Sequence, residues 1–134
     1  MTTVENHQDI LSELLEDIDE KIRADLILQR QKILGFALSE ASAHLLAILL
    51  LKKRLVSSGF TVNHRFFSSK ERAKERFGFD FPHKEELLNG MVAQEHFRDR
   101  LCYGKHKQRK EVEDAIKNLF SLKKCIDSAL GEEL

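Results

Sequence analysis

The chain has little proline and glycine, with one proline and six glycines in 134 residues, and it has no tryptophan. An all-β domain needs frequent turns and alternating runs of β-branched and aromatic residues, and neither pattern is present. The composition is 42% hydrophobic and 33% charged, which provides enough apolar material for a core and argues against disorder. The sequence therefore predicts one helical domain over residues 1–134.

Cysteine and long apolar runs are also scarce. Cys102 and Cys125, 23 residues apart, are expected to make neither a disulfide scaffold nor a zinc site, and no pair of Glu-x-x-His motifs is present. We therefore expect no metal and no cofactor. The longest uncharged stretch, residues 41–51, is shorter than the ~20 apolar residues that cross a bilayer, and the acidic start is unlike a signal peptide. These absences predict a cytoplasmic protein without a membrane segment.

The net charge is zero, with 22 basic and 22 acidic residues, but the charges are unevenly distributed. Residues 1–20 carry seven acids and no lysine or arginine. Residues 52–76 carry eight basic residues against two acids, and residues 98–110 carry six against one. Two such blocks on a neutral protein are compatible with solvated helix faces or with a positive patch for an anionic partner, and both interpretations stay open.

Hydrophobic periodicity predicts four long helices, at about residues 6–24, 26–57, 82–103 and 108–129, and a short basic helix at about 68–77. Ser57-Ser58-Gly59 is expected to end the second helix, and Gly131 the last. Pro82 suits the first turn of the fourth. With short connections, these elements favour an all-α, up-and-down helical bundle.

Charge interrupts the apolar stripe of the fourth helix. The stripe begins at Leu87 and, at helical spacing, reaches Glu95, Arg98 and Asp99. Burying a charge is costly unless it is paired. A polar layer is therefore expected, completed by two residues one turn apart on the second helix, Glu40 and His44.

This polar layer allows two interpretations. One is an internal ion network that fixes the register of the helices. The other is a cleft in which Arg98 meets an anion such as a phosphate. Cys102 continues the same stripe and is expected to be a buried small hydrophobe.

The segment from Glu95 to His106 resembles the signature region of the HEPN (higher eukaryote and prokaryote nucleotide-binding) superfamily. That family has an arginine, then a polar residue, then a histidine four to six residues later, near the junction of the last two long helices. Arg98 and Asp99 occupy the first two positions here. The resemblance extends over about residues 26–129 as architecture. The chain is similar to small stand-alone plasmid-borne members of the family and, more distantly, to HepT-type toxins.

The resemblance implies a chemistry for these residues. Family members that cleave RNA do so without a metal, usually as dimers in which two motifs face one cleft. Arg98 would orient the scissile phosphate and stabilise its charge, and Asp99 would orient the other groups. Tyr103 stands at the usual histidine position, and a phenol, with a pKa of ~10, is a poor base at neutral pH. Proton transfer would then fall to Tyr103 or to His106.

Three functions remain open at this point. The first is a HEPN-like homodimeric module with weak or lost catalysis. It would bind RNA or nucleotide phosphate, or an antitoxin-like protein partner, through Arg98, Arg100, Lys105 and Lys107. The second is a metal-independent ribonuclease of a toxin–antitoxin or plasmid or phage defence type. The third is a dimerisation or regulatory module without a ligand.

Overall fold

The computed structural model describes residues 3–134, which form an all-α, up-and-down helical bundle. A 3-10 helix lies between the second and third α-helices, and the described residues contain no strand. The prediction of four long helices and a short one is confirmed. In chain order the helices are α1 (Val4–Arg23), α2 (Gln31–Lys52), the 3-10 helix (His64–Phe67), α3 (Lys70–Arg76), α4 (Lys84–Cys102) and α5 (Arg109–Leu130).

The central helix is α2, which packs against α1, α4 and α5. It is long and apolar enough to cross a membrane, with a mean hydropathy of 1.8. The apolar part of this helix is therefore longer than the uncharged stretch 41–51 identified in the sequence. However, 78% of its apolar window is buried inside the bundle, as in the core helix of a soluble protein. Its fully buried side chains include Leu34, Leu38, Leu45 and Leu49.

Both ends of α2 lie inside the predicted limits, and a residue other than glycine with a left-handed backbone lies in the chain on either side of it. Asp25, at φ 54°, belongs to the turn that closes α1, and a further turn over residues 27–30 precedes Gln31, where α2 begins. Aspartate tolerates this conformation better than most residues. Arg54, at φ 57°, lies in the turn that closes α2 at Lys52. The prediction that the Ser-Ser-Gly sequence at 57–59 ends the helix was therefore wrong.

The start of α4 also differs from the prediction. The helix begins at Lys84, so Pro82 precedes it instead of lying in its first turn. His83 is the N-cap residue and has a left-handed backbone, at φ 56°. The stop of α5 at Gly131, where φ is 70°, agrees with the prediction.

A cluster of phenylalanines packs beside α3. Phe77 is fully buried at its centre, and Phe67 stacks on it with the ring centroids 5.5 Å apart. The connection between α2 and α3 is therefore packed core and not a free linker. The rings that meet Phe77 edge-on are Phe60, Phe66, Phe79 and Phe81.

A glycine allows α2 and α4 to approach closely. A Cβ atom added to Gly35 would lie only 2.8 Å from the Cβ of Leu101. This approach sets the first turns of α2 against the last turns of α4. Here Lys32 Nζ donates to the carbonyl oxygens of Cys102 and Gly104, at 3.4 and 3.1 Å, which satisfies acceptors that a helix C-terminus leaves free.

Candidate functional site

Arg98 lies near the end of α4 with its guanidinium group against α2. Its Nη1 atom is buried and has no hydrogen-bond partner among residues 3–134. Its Cζ lies 5.1 Å from the centroid of the Phe36 ring, a cation–π distance. A buried donor without an acceptor costs about 1–3 kcal/mol, and more when it is charged. Because Nη1 has almost no accessible surface, an acceptor from outside the described chain would remove this cost once the guanidinium turns outward.

Glu95 lies one turn before Arg98, and only 7% of it is exposed. Its carboxylate is bonded to His64, whose Nδ1 donates to both carboxylate oxygens at 2.9 Å. A carboxylate oxygen accepts, so Nδ1 of His64 is the donor in this contact. The Nε2 of His64 forms no hydrogen bond with the described residues. The result is an imidazole held by a buried carboxylate that lies one turn before an arginine on α4.

Of the two α2 residues in the predicted polar layer, Glu40 and His44, it is His44 that forms a side-chain contact, and its partner lies on α1. His44 Nδ1 is 2.8 Å from Nδ1 of His7 on α1, so one ring donates and the other accepts. Burial lowers the pKa of His7, and His44 lowers it further. Burial also lowers the pKa of His44, although the neighbouring carboxylate of Glu40 partly opposes this. Within the described chain, no hydrogen bond or ion pair joins this pair to the charged residues of α4.

Cys102 is half-buried and not fully buried as expected. Its thiol donates to the carbonyl oxygen of Lys32 at 3.4 Å. Burial raises the pKa of the thiol, and the positive charges of Arg98 and Lys32 oppose this. The thiol of Cys102 is therefore a packing group with a weak hydrogen bond.

Asp99 is exposed and forms no ion pair with any residue that the structure describes.

The other predicted proton-transfer residues lie on the exposed segment after α4. Tyr103 is 65% exposed, and His106 is exposed as well. Gly104 turns the chain with φ 76°. Neither Tyr103 nor His106 contacts Arg98 through a hydrogen bond or a ring contact within residues 3–134. Of these three residues, only His64 forms a hydrogen bond with a charged residue of α4, Glu95, within the described chain.

The three basic residues predicted to extend the site differ in their surroundings. Arg100 forms two hydrogen bonds with Glu111 on α5, at 2.7 and 2.6 Å, which raise the pKa of Arg100 and lower that of Glu111. Lys107 is anchored by its backbone, whose N–H donates to the buried Gln31 side chain at 2.6 Å. Lys105 is exposed and forms no ion pair within the described chain. The positive charge available near Arg98 is thus smaller than the sequence count suggests.

The surface of α2 beside Arg98 is apolar. Ile33 is 56% exposed and Phe36 is 49% exposed, which is unusual for residues of this size. Being three positions apart, they share one face of the helix. An arginine with a free donor therefore borders an exposed aromatic ring and an exposed aliphatic side chain.

A group of metal-ligand type lies elsewhere. His83, Glu86 and Cys125 come together where α4 begins, at the opposite end from Arg98. It is the one cluster of three histidine, cysteine or carboxylate ligands among the described residues.

No protein-family model, curated protein or solved structure gives a significant match to this chain. The resemblance to the HEPN signature therefore depends on the segment from Glu95 to His106 and on the helical architecture.

Sequence reasoning missed His64 and His7 as members of these polar contacts. His64 is 31 residues from its partner, and His7 is 37 residues from His44. The one sequence signal was the charged break in the stripe of α4, which requires a partner without identifying it.

Proposed function

We propose that this chain is a HEPN-like module that binds a phosphate group of RNA or of a nucleotide at Arg98, with weak or absent catalysis. The observation that carries this proposal is the buried Nη1 of Arg98, which has no acceptor within the described chain. Phosphate oxygens are strong acceptors whose geometry matches the fork of a guanidinium. An internal ion network would pair Arg98 with a carboxylate, yet the buried carboxylate nearby, Glu95, is bonded to His64.

The neighbours of Arg98 favour a nucleotide over a simple anion. The Phe36 ring is half exposed beside the guanidinium, and exposed aromatic rings are surfaces on which bases stack. Lys32 contributes a second positive charge at the same end of the bundle. Lys105 is exposed in the segment that follows α4. The phosphate of a bound nucleotide would contact Arg98, its base would stack on Phe36, and a neighbouring stretch of RNA backbone would contact the lysines.

The exposed apolar face of α2 supports the expectation of a homodimer. Ile33, which is 56% exposed, offers an apolar surface adjacent to Arg98, so a second copy docked on it would place two arginines near one cleft. Light scattering after size-exclusion chromatography should give about twice the mass of 15.5 kDa. A monomer would contradict a shared cleft, although one Arg98 could still bind phosphate.

The binding proposal is tested by fluorescence anisotropy with a labelled single-stranded RNA over a series of salt concentrations. Replacing Arg98 with Met should weaken binding by about 10–100-fold, since a hydrogen bond to a charged group contributes about 1.5–3 kcal/mol. Arg100→Met is the matched control, because Arg100 lies two residues away and already has Glu111 as its partner. Equal losses in both variants, or no loss in either, would contradict a specific site at Arg98.

The second candidate function is a metal-independent ribonuclease. The observation in its favour is His64, held by Glu95 one turn from Arg98, with Nε2 free of hydrogen bonds to described residues. Imidazole suits proton transfer near neutral pH, and a carboxylate that fixes its tautomer is a common arrangement for a general base. His64 would supply the group that the motif lacks at Tyr103.

A cleavage assay separates these two functions. The protein is incubated with transfer RNA and a structured RNA in EDTA, beside Arg98→Met, His64→Gln, His106→Gln and Tyr103→Phe. Cleavage that is lost in Arg98→Met and His64→Gln but kept in the other two would support the ribonuclease with His64 as its base. Salt-sensitive binding without cleavage would support the binding module. Neither binding nor cleavage would contradict both and favour a dimerisation module or a protein partner.

A further inference from the structure

A second group of polar side chains lies where the start of α4 meets the last turns of α5. His83, Glu86 and Cys125 each offer one ligand atom, and these atoms lie within 4.8 Å of one another. An oxygen of Glu86 is 3.6 Å from His83 Nδ1 and 3.5 Å from Cys125 Sγ. In a tetrahedral zinc site, bonds of about 2.0–2.3 Å place neighbouring ligand atoms roughly 3.3–3.8 Å apart. Two of the three separations already have this value.

The surroundings leave room for an ion and a water molecule. The three side chains line an open cavity of about 280 Å³, together with Ser121, Lys124 and Ser128. His83 and Glu86 are exposed, and Cys125 is half-buried. The imidazole and the carboxylate can therefore turn toward a common point without disturbing the core. Lys124 is exposed and free to turn into solvent.

We propose that His83, Glu86 and Cys125 bind a zinc ion, with water in the fourth position. Nitrogen, carboxylate oxygen and thiolate sulfur are the three ligand types that zinc takes in proteins. On binding, the sulfur–zinc bond replaces the S–H bond and the proton passes to solvent. The site has three protein ligands and one open position, which is the coordination of zinc sites that act on a bound water or ligand.

The backbone fixes two of these ligands on one helical turn. His83 has a left-handed backbone at φ 56°, an uncommon conformation for a residue other than glycine. Glu86 follows three residues later, so both side chains lie on the same side of the first turn. Cys125 comes from the last part of α5 and is held by the packing of α4 against α5. The site therefore links the two helices.

Two helix ends act on a cation at this site. The positive end of the α4 dipole opposes a cation, while the negative end of α5 lies beside it and offsets this effect.

The site is separate from Arg98. His83 and Arg98 are fifteen positions apart along α4, which is roughly 22 Å at a rise of 1.5 Å per residue. Zinc binding and phosphate binding can therefore each fail without the other.

Cobalt(II) tests the proposal, because it takes zinc sites and reports its ligands by absorption. Added to the full chain, it should give the intense visible bands of tetrahedral coordination and a near-ultraviolet thiolate-to-metal charge-transfer band. One equivalent should saturate both, and zinc should abolish them. Cys125→Ser should remove the charge-transfer band, and His83→Asn, which keeps a residue tolerant of the left-handed backbone, should weaken binding at least tenfold. Cys102→Ser is the matched control and should behave like the unaltered chain.

Circular dichroism on each variant establishes that it is folded. Absence of the charge-transfer band in the unaltered chain would overturn the proposal. So would a band that persists in Cys125→Ser or disappears in Cys102→Ser. Zinc calorimetry gives an independent reading, with one site per chain expected and a loss of at least tenfold in affinity for Glu86→Gln.

Discussion

The guanidinium of Arg98 lies over the ring of Phe36, with Cζ 5.1 Å from the ring centroid. The ring covers one side of the cation and remains half exposed itself. This contact holds an arginine from α4 against α2 without supplying an acceptor to its buried Nη1. An arginine that only stabilised the bundle would be expected to have a carboxylate beside it.

The first prediction concerns the stability of the Arg98→Met variant. Because the guanidinium has a buried Nη1 and no carboxylate partner within the described chain, replacing it with an apolar side chain of similar length should leave the free energy of unfolding unchanged or raise it by about 1 kcal/mol. Urea denaturation followed by circular dichroism measures this. A loss above about 2 kcal/mol would instead indicate a structural ion network.

The second prediction concerns the pair of His64 and Glu95. His64→Ala leaves a buried carboxylate without its donor and should lower the free energy of unfolding by about 1–3 kcal/mol. Adding Glu95→Gln should recover part of this loss, because the neutral amide is less costly to bury. A double-mutant cycle measures the coupling, expected to exceed about 0.5 kcal/mol. His106→Ala, on the exposed segment, is the control and should change stability little; additive effects of His64→Ala and Glu95→Gln would contradict the pairing.

The third prediction is a loss of stability in mild acid that originates in His7 and His44. Burial lowers the pKa of both below the ordinary value of 6.5, so the unfolded chain takes up protons more readily than the folded one. The contribution of the pair is therefore complete above about pH 6.5 and is lost as the pH falls below it. Denaturation curves between pH 5 and pH 8, approximately the range in which histidine titrates, should show this dependence.

Two variants test whether the buried histidine pair is the source of that pH dependence. His7→Leu should flatten the stability curve below neutral pH, because it removes one buried imidazole and the ring that faces His44. His106→Gln, which changes an exposed histidine, should leave the curve unchanged. If both variants flatten the curve equally, the buried pair is not its source.

The fourth prediction concerns the close approach of α2 and α4. Gly35→Ala would set a methyl group 2.8 Å from the Cβ of Leu101, an atom that no rotamer change can move. Overpacking costs about 1–3 kcal/mol and the gain in helix propensity is ~1 kcal/mol, so a net loss of up to about 2 kcal/mol is expected. Gly90→Ala is the control: its added methyl group meets the end of the Leu122 side chain, which can rotate away. A larger loss at Gly90 than at Gly35 would contradict this packing.

The helices were predictable from the sequence, because each buries a face whose residues recur at helical spacing, whereas their ends were not. Asp25 and Arg54 adopt left-handed backbones that glycine would usually take, and no local pattern marks them. Tertiary packing of the turns decides these positions. Gly131, a glycine in the expected place, ended α5 as predicted.

Only the part of the site that lies on α4 could be predicted from the sequence. The charged break at Glu95 and Arg98 is visible as an interruption of an apolar stripe, and this is a local property of α4. Their partners are not local: His64 comes from the 3-10 helix, and Phe36 comes from α2. The proposed zinc ligands could not be predicted from the sequence for the same reason, since Cys125 is 39 residues from Glu86 and follows no spacing motif.

The most direct test of the central claim observes the Arg98 guanidinium itself. In a ¹⁵N-labelled protein, the arginine Nε–Hε resonances are recorded during a titration with adenosine monophosphate, and the Arg98 signal is assigned by its absence in Arg98→Met. The account predicts that this resonance shifts saturably while that of Arg100, bonded to Glu111, stays in place. An unmoved Arg98 resonance, or equal shifts at both arginines, would contradict a phosphate site at Arg98.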